Sequence, residues 1–279
     1  MMKTVKIGTR GSRLALIQAD MVINAIQSKL PNVKCEKVII KTEGDKNQST
    51  PLEQFGGKAV FVDEFEKMLT LGKIDFAVHS AKDMPNELPN GLEIGAVLPR
   101  GDVRDVLLYK KETKEIKTVG TSSKRRTVQT ENLYPNARCL PLRGNVTTRV
   151  QKLKSGQFDA VVLAKAGLDR LGIFGVDSSL VYDVLPIEKM LPAACQGIIA
   201  VENRTGEFKS VLSAINDKET MTALNHERQI MNLLDADCKG AVGALEIDGE
   251  VHVMKKFDSE LKYCTYGEFD LEEIKKDFV

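Results

Sequence analysis

Strand-like and helix-like segments alternate along this chain, and that alternation narrows its fold more than any other feature. Short apolar runs at 4–8, 37–41, 74–78, 106–109, 137–142, 158–164 and 198–202 have the length and side-chain types of buried strands. Helical patterns lie between them. Ser12 is placed to cap a helix whose apolar face includes Leu14, Ile17, Met21 and Ala25, with Pro31 as its stop. A second helix is expected over about 60–71, ended by Gly72. Others are expected from near Lys124, after Ser122 and Ser123, and from Asn145 to about Leu153, with a short one containing Arg170. This rhythm predicts parallel α/β architecture. After Glu202 come helices at 206–215 and 218–234. Three alternating segments at 241–247, 250–256 and 261–266 then predict a small antiparallel sheet, with a closing helix at 271–278.

A length of 279 residues permits two or three domains. A break near 99–102 and a return near Gln196 predict a discontinuous first domain, 1–98 with 195–215. A second α/β domain, 99–194, is inserted in it, and a small α+β domain, 216–279, follows. Two chain crossings predict a two-stranded hinge, and a cleft between such domains is a natural ligand site.

Several function classes are disfavoured. The net charge of +1 gives no field that draws the chain to nucleic acid or membrane. Aromatic residues make up 5% and tryptophan is absent, so base-stacking platforms are scarce. No apolar run approaches the ~20 residues of a membrane span. The first residues carry no apolar signal core, so a cytoplasmic location is expected. Five cysteines without close pairing are expected as free thiols in a reducing compartment. No CxxC or HExxH spacing occurs and the three histidines are far apart, so no metal site is expected. Gly57-Lys58-Ala59 lacks the rest of a phosphate-binding loop, and neither a GxGxxG after a strand nor a GxSxG elbow is present. Nothing in the pattern calls for self-assembly, so a monomer is expected.

The residues that carry chemistry stand just past the strands. Arg10, Lys82, Arg125, Arg126, Arg143, Arg149 and Arg170 each read singly as a solvated surface charge. At equivalent strand ends of a parallel sheet they converge on the side where ligands bind. A cation in the first turn of a helix opposes the helix dipole by ~0.3–1 kcal/mol. Paired arginines at 125 and 126 therefore point to an anion that joins them. The planar guanidinium suits carboxylate or phosphate, and both remain open at this point. Asp83 lies in His79-Ser80-Ala81-Lys82-Asp83-Met84-Pro85. Alone it reads as a turn residue; beside these cations it is a candidate acid, base or stabiliser of positive charge, held ionised by its neighbours. His79 reads as a packed residue. Cys238, in Asp235-Ala236-Asp237-Cys238-Lys239-Gly240, falls on a loop where Lys239 favours thiolate and the aspartates oppose it. Cys35, Cys139 and Cys264 read as small buried hydrophobes.

Taken together, IGTRGSRLALIQA (7–19), FGGKAVFVDEFE (55–66), FAVHSAKDMP (76–85), VGTSSKRR (119–126), LRGNVTTRVQKL (142–153), FDAVVLAKAGLDRLG (158–172) and LPAACQGIIAVE (191–202) resemble the hydroxymethylbilane synthases, or porphobilinogen deaminases, in order and separation. The resemblance implies two domains similar to periplasmic solute-binding proteins plus a third. It implies a transferase that joins four porphobilinogen molecules head to tail on a covalent dipyrromethane cofactor, with a thioether to Cys238. It implies that Asp83 assists loss of ammonia and stabilises the cationic azafulvene that follows. It places Arg10, Ser12, Lys82, Arg125, Arg126, Arg143, Arg149 and Arg170 on acetate and propionate arms, and Lys58 and Phe61 near substrate. Ser122, Ser123, Asn145 and Gln196 lie in the same blocks and join the binding set. The chain departs from the family pattern at Asp237, at Lys239, at Gln54 and at Cys195, where glycine is usual. A two-lobed binding protein for an anionic small molecule, without catalysis, is the alternative from another class.

Overall fold

The computed structural model describes residues 4–41, 62–235, 240–258 and 260–279. They form two compact units, Met1–Arg100 with Ile198–Leu224, and Gly101–Gly197 with Asn225–Val279. In chain order the first unit begins with β1 (Thr4–Thr9), α1 (Arg13–Lys29), β2 (Lys34–Ile39), α2 (Asp63–Thr70), β3 (Phe76–Ser80) and β4 (Leu92–Val97). The second holds β5 (Asp105–Lys110), β6 (Thr118–Gly120), α3 (Lys124–Leu133), β7 (Arg138–Leu140), α4 (Val146–Lys154), β8 (Ala160–Ala164), α5 (Lys165–Arg170) and β9 (Leu180–Val184). The chain returns with β10 (Ile199–Arg204) and α6 (Lys209–Ile215), and α7 (Lys218–Leu233) follows. It ends with β11 (Val242–Ile247), β12 (Glu250–Phe257), β13 (Glu260–Tyr266) and α8 (Leu271–Phe278).

Each unit has a five-stranded sheet, ordered β2-β1-β3-β10-β4 in the first and β7-β6-β8-β5-β9 in the second. The expected parallel pairing holds for most of each sheet and fails at one strand in each. In the first sheet β10 runs antiparallel to both neighbours, and in the second β5 does so. These are the first strands built after each crossing, so each crossing inserts one reversed strand. The strands β4 and β9 are further findings that apolar periodicity did not reveal. Gly95 of β4 is required because a Cβ there would fall 2.2 Å from Asn203 Oδ1 and 2.7 Å from Leu212.

Strand alternation sends side chains to opposite faces. In the first unit Val5, Ile7, Phe76 and Val78 pack with Val22 and Ile26 of α1, while Ala77 packs with Phe65 and Leu69 of α2. In the second, Val106, Leu108, Val161 and Leu163 line one face, and Leu107, Ala160 and Val162 the other. The Ser12 hydroxyl caps α1 by accepting from Ala15 N. The buried stripe of α1 is Gln18, Ala19, Val22 and Ile26, one position round from the expected one. The expected stripe counted apolar residues alone, whereas the amide of Gln18 is buried because it donates to Ser80 Oγ at 2.9 Å.

The sheet β11-β12-β13 is antiparallel throughout. Leu245 and Met254 pack on Val103 and Leu191 within the second unit. Gly243 permits that seat, since a Cβ there would lie 2.9 Å from Pro192 O. Gly243→Ala is expected to lose about 1–3 kcal/mol of stability through overpacking against fixed backbone, measured as a lowered urea midpoint. An unchanged midpoint would show that the sheet is seated otherwise.

Candidate active site

In the first unit β1 and β3 are parallel neighbours, with Gly8 beside Ala77, so their carboxyl ends lie together. Arg10 and the capping Ser12 follow β1, and a single 3₁₀ turn, Ala81–Asp83, follows β3. That turn is anchored by Ala81, whose N–H donates to Ile198 O, and by Met84, whose N–H donates back to Ala81 O. Both anchors are buried, Lys82 is half-buried, and Asp83 is exposed. The Asp83 carboxylate has no hydrogen-bonding or ionic partner among the described residues. Arg10, Ser12, Lys82 and Asp83 are thus brought to one edge of this sheet. His79 is packed edge-on against Phe65 and bonded to Glu202 at 2.9 Å, as its sequence context suggested.

In the second unit β6, β7 and β8 are parallel and their carboxyl ends carry the basic loops. Because β5 is reversed, its amino end lies among them, with Asp105 opposite Ala164. Asp105 is fully buried. Its Oδ2 accepts from Arg125 at 2.8 Å, and its Oδ1 from Arg126 at 2.7 Å and from the Gln196 amide at 2.9 Å. Arg125 also donates to Leu191 O at 2.5 Å and Arg126 to Val162 O at 3.1 Å. Between these arginines the chain itself supplies one carboxylate, Asp105. Sequence reasoning missed this residue. Its one signal was a charged side chain heading the apolar run of β5.

The pair is 4% and 6% exposed. Burial pulls the Arg125 guanidinium below its ordinary pKa, against the attraction of Asp105. Two positive charges face one negative, and Nε of both arginines is buried without a hydrogen-bond partner among the described residues. A cationic set with unused donors fits a group that carries carboxylates.

The remaining side chains differ in how far the chain itself engages them. Ser123 caps α3 by accepting from Arg126 N. Ser122 Oγ donates to Leu142 O and accepts from Leu142 N, both at 3.0 Å, tying the loops after β6 and β7. Asn145 caps α4 through Thr148 N at 2.9 Å. Gln196 is buried and also donates to Val103 O at 2.7 Å. Arg170 donates to Gly197 O at 2.5 Å, and burial lowers its pKa. Arg149 Nε donates to Gly144 O at 2.7 Å. The Arg143 guanidinium is half-buried, with no partner among the described residues. Lys58, Phe61 and Cys238 lie outside the described residues.

Among the described residues no cluster of histidine, cysteine or acidic side chains is arranged to hold a metal. No described helix is long and apolar enough to cross a membrane.

A family model described as porphobilinogen deaminase, dipyromethane cofactor binding domain, matches residues 5–211. A porphobilinogen deaminase of Syntrophomonas wolfei subsp. wolfei is 41% identical over 274 residues, which cover 94% of this chain and 88% of that protein. One of Acetivibrio thermocellus is 40% identical over 257 residues, 91% and 87% of the two chains. Among solved structures, the periplasmic VFT2 domain of Bordetella pertussis BvgS aligns with a TM-score of 0.46 at 16% identity, over 79% of this chain and 92% of that one.

Proposed function

The chain belongs to the porphobilinogen deaminase family, and from that premise we propose how its residues divide the work. It is a transferase that deaminates porphobilinogen and joins four units head to tail on a dipyrromethane cofactor to give hydroxymethylbilane. Identity of about 40% along most of the chain favours this reading over a binding protein without catalysis.

The observation that carries the assignment of roles is the exposed, unengaged carboxylate of Asp83 at a cationic sheet edge. Asp83 accepts hydrogen bonds from pyrrole N–H groups. Its charge stabilises the cation left when the aminomethyl carbon loses ammonia. When bound, the dipyrromethane group supplies an electron-rich pyrrole carbon as nucleophile. Arg10, Ser12 and Lys82, together with Arg143, Arg149 and Arg170, take the acetate and propionate arms. Arg125 and Arg126 add the surplus positive charge that Asp105 leaves uncompensated. Ser122, Ser123, Asn145 and Gln196 set the loops that present these cations. Lys58 and Phe61 act near substrate, and Cys238 carries the cofactor. No strong base is needed, because a pyrrole is already nucleophilic and orientation supplies much of the rate.

The proposal retains three functional parts, 1–98 with 195–215, 99–194 and 216–279. The separate sheet β11-β12-β13 supports the third. It extends to a monomer and to the cytoplasm, the latter supported by Cys35, Cys139 and Cys264, which form no disulfide among the described residues.

Intact-protein mass tests the reading. The purified chain is expected to weigh more than its sequence by two linked pyrroles and to colour with a pyrrole-reactive aldehyde. Cys238→Ser is expected to abolish both. A variant that keeps the mass would move the attachment to another thiol, Cys195 first.

A further inference from the structure

We propose that Glu227 is a positioning residue for cofactor loading, resting on the reading that Cys238 carries the group and the arginines hold its arms. Glu227 lies on α7 and is fully buried. Its carboxylate spans two backbone donors. Oε2 accepts from Cys195 N at 2.5 Å, and Oε1 accepts from Glu246 N of β11 at 2.9 Å. A carboxylate facing two N–H groups makes charge-assisted bonds, stronger than neutral ones and demanding in geometry.

What this carboxylate holds gives it a role beyond packing. Cys195 stands at φ 60°, a left-handed conformation disfavoured for a residue with a side chain. Its neighbour Gln196 donates to Asp105, and Asp105 fixes Arg125 and Arg126. On the other side, α7 ends at Leu233, and the chain then runs to Cys238. Glu227 therefore joins the helix that leads to the attachment cysteine with the segment that orients the arginine pair. A ligand tied covalently at one point and held by cations at another must satisfy both at once. Small errors in such a placement cost large factors in rate. The hydrogen bond to Glu227 uses the backbone N–H of Cys195, which any residue but proline supplies at this position.

The test uses the full chain, with loading followed as mass gained by unloaded protein after addition of porphobilinogen. Glu227→Gln keeps one acceptor but turns an amide N–H toward a backbone N–H; Glu227→Ala removes both acceptors. Folded Glu227→Gln, judged by wild-type circular dichroism, is expected to load about tenfold more slowly or worse, and Glu227→Ala more slowly still. Cys195→Gly keeps the N–H, suits the positive φ and is expected to load as the wild type does. A purely structural role would lower the melting temperature but leave folded molecules loading normally, and that result overturns the proposal. So does failure of both Glu227 variants to fold, since the carboxylate would then be a folding determinant. A wild type without added mass removes the Cys238 reading and this one with it. A loaded wild type beside an equally loaded Glu227→Gln removes this one alone.

Discussion

Asp83→Asn is expected to fold as the parent does and to turn over about 10²–10⁴-fold more slowly, the range seen when a positioned proton-handling or charge-stabilising group is lost. The structure separates the two effects. Asp83 is exposed and has no partner among the described residues, whereas Ala81 and Met84 on either side anchor its turn. An exposed substitution of this kind changes stability by no more than about 0.5 kcal/mol. The measurement is steady-state release of product by protein whose thermal melt matches the parent. The amide keeps the shape and one acceptor but loses the negative charge, so the loss falls on turnover and KM moves little. Near-normal turnover would remove Asp83 from its role.

The second large effect concerns stability. Asp105→Ala strands Arg125 and Arg126 at 4% and 6% exposure without their common counter-charge. Removing one partner of a buried ion pair costs about 3–5 kcal/mol, a large part of the ~5–15 kcal/mol that holds a domain together. Gln196 loses an acceptor as well. Chemical denaturation is expected to show a midpoint far below the parent, and Asp105→Asn to share most of the loss because the charge is missing there too. A variant as stable as the parent would mean that the arginines reach water or another anion when Asp105 is gone.

Local signals made much of this fold legible. Ser12 and Asn145 cap the helices they were expected to cap, and of the two candidates Ser122 and Ser123 it is Ser123 that caps α3, because a cap is decided by three or four adjacent residues. The alternation of the C-terminal strands foretold β11 to β13 for the same reason. Strand direction was not legible, since periodicity reports which face is buried and says nothing of orientation. That is why β5 and β10 were expected to run with their neighbours. The partner of Arg125 was hidden too, because Asp105 lies 20 residues earlier in the chain and meets it only once β5 is reversed. Glu227 carries no signal of its own in the sequence. Its burial depends on two backbone donors, at Cys195 and Glu246, that no helical pattern records.

The reversed strand β10 has a consequence for biosynthesis. It fills the gap between β3 and β4, yet it leaves the ribosome only after residues 101–197 have been made. Until then β3 and β4 each present an unsatisfied edge, while β5 to β9 already hold every strand of their own sheet. Closing β3 against a partner some 120 positions downstream is a late, entropically expensive step. The nascent chain thus matures from its middle outward, and its amino-terminal third is the part exposed longest to wrong pairing and to chaperones.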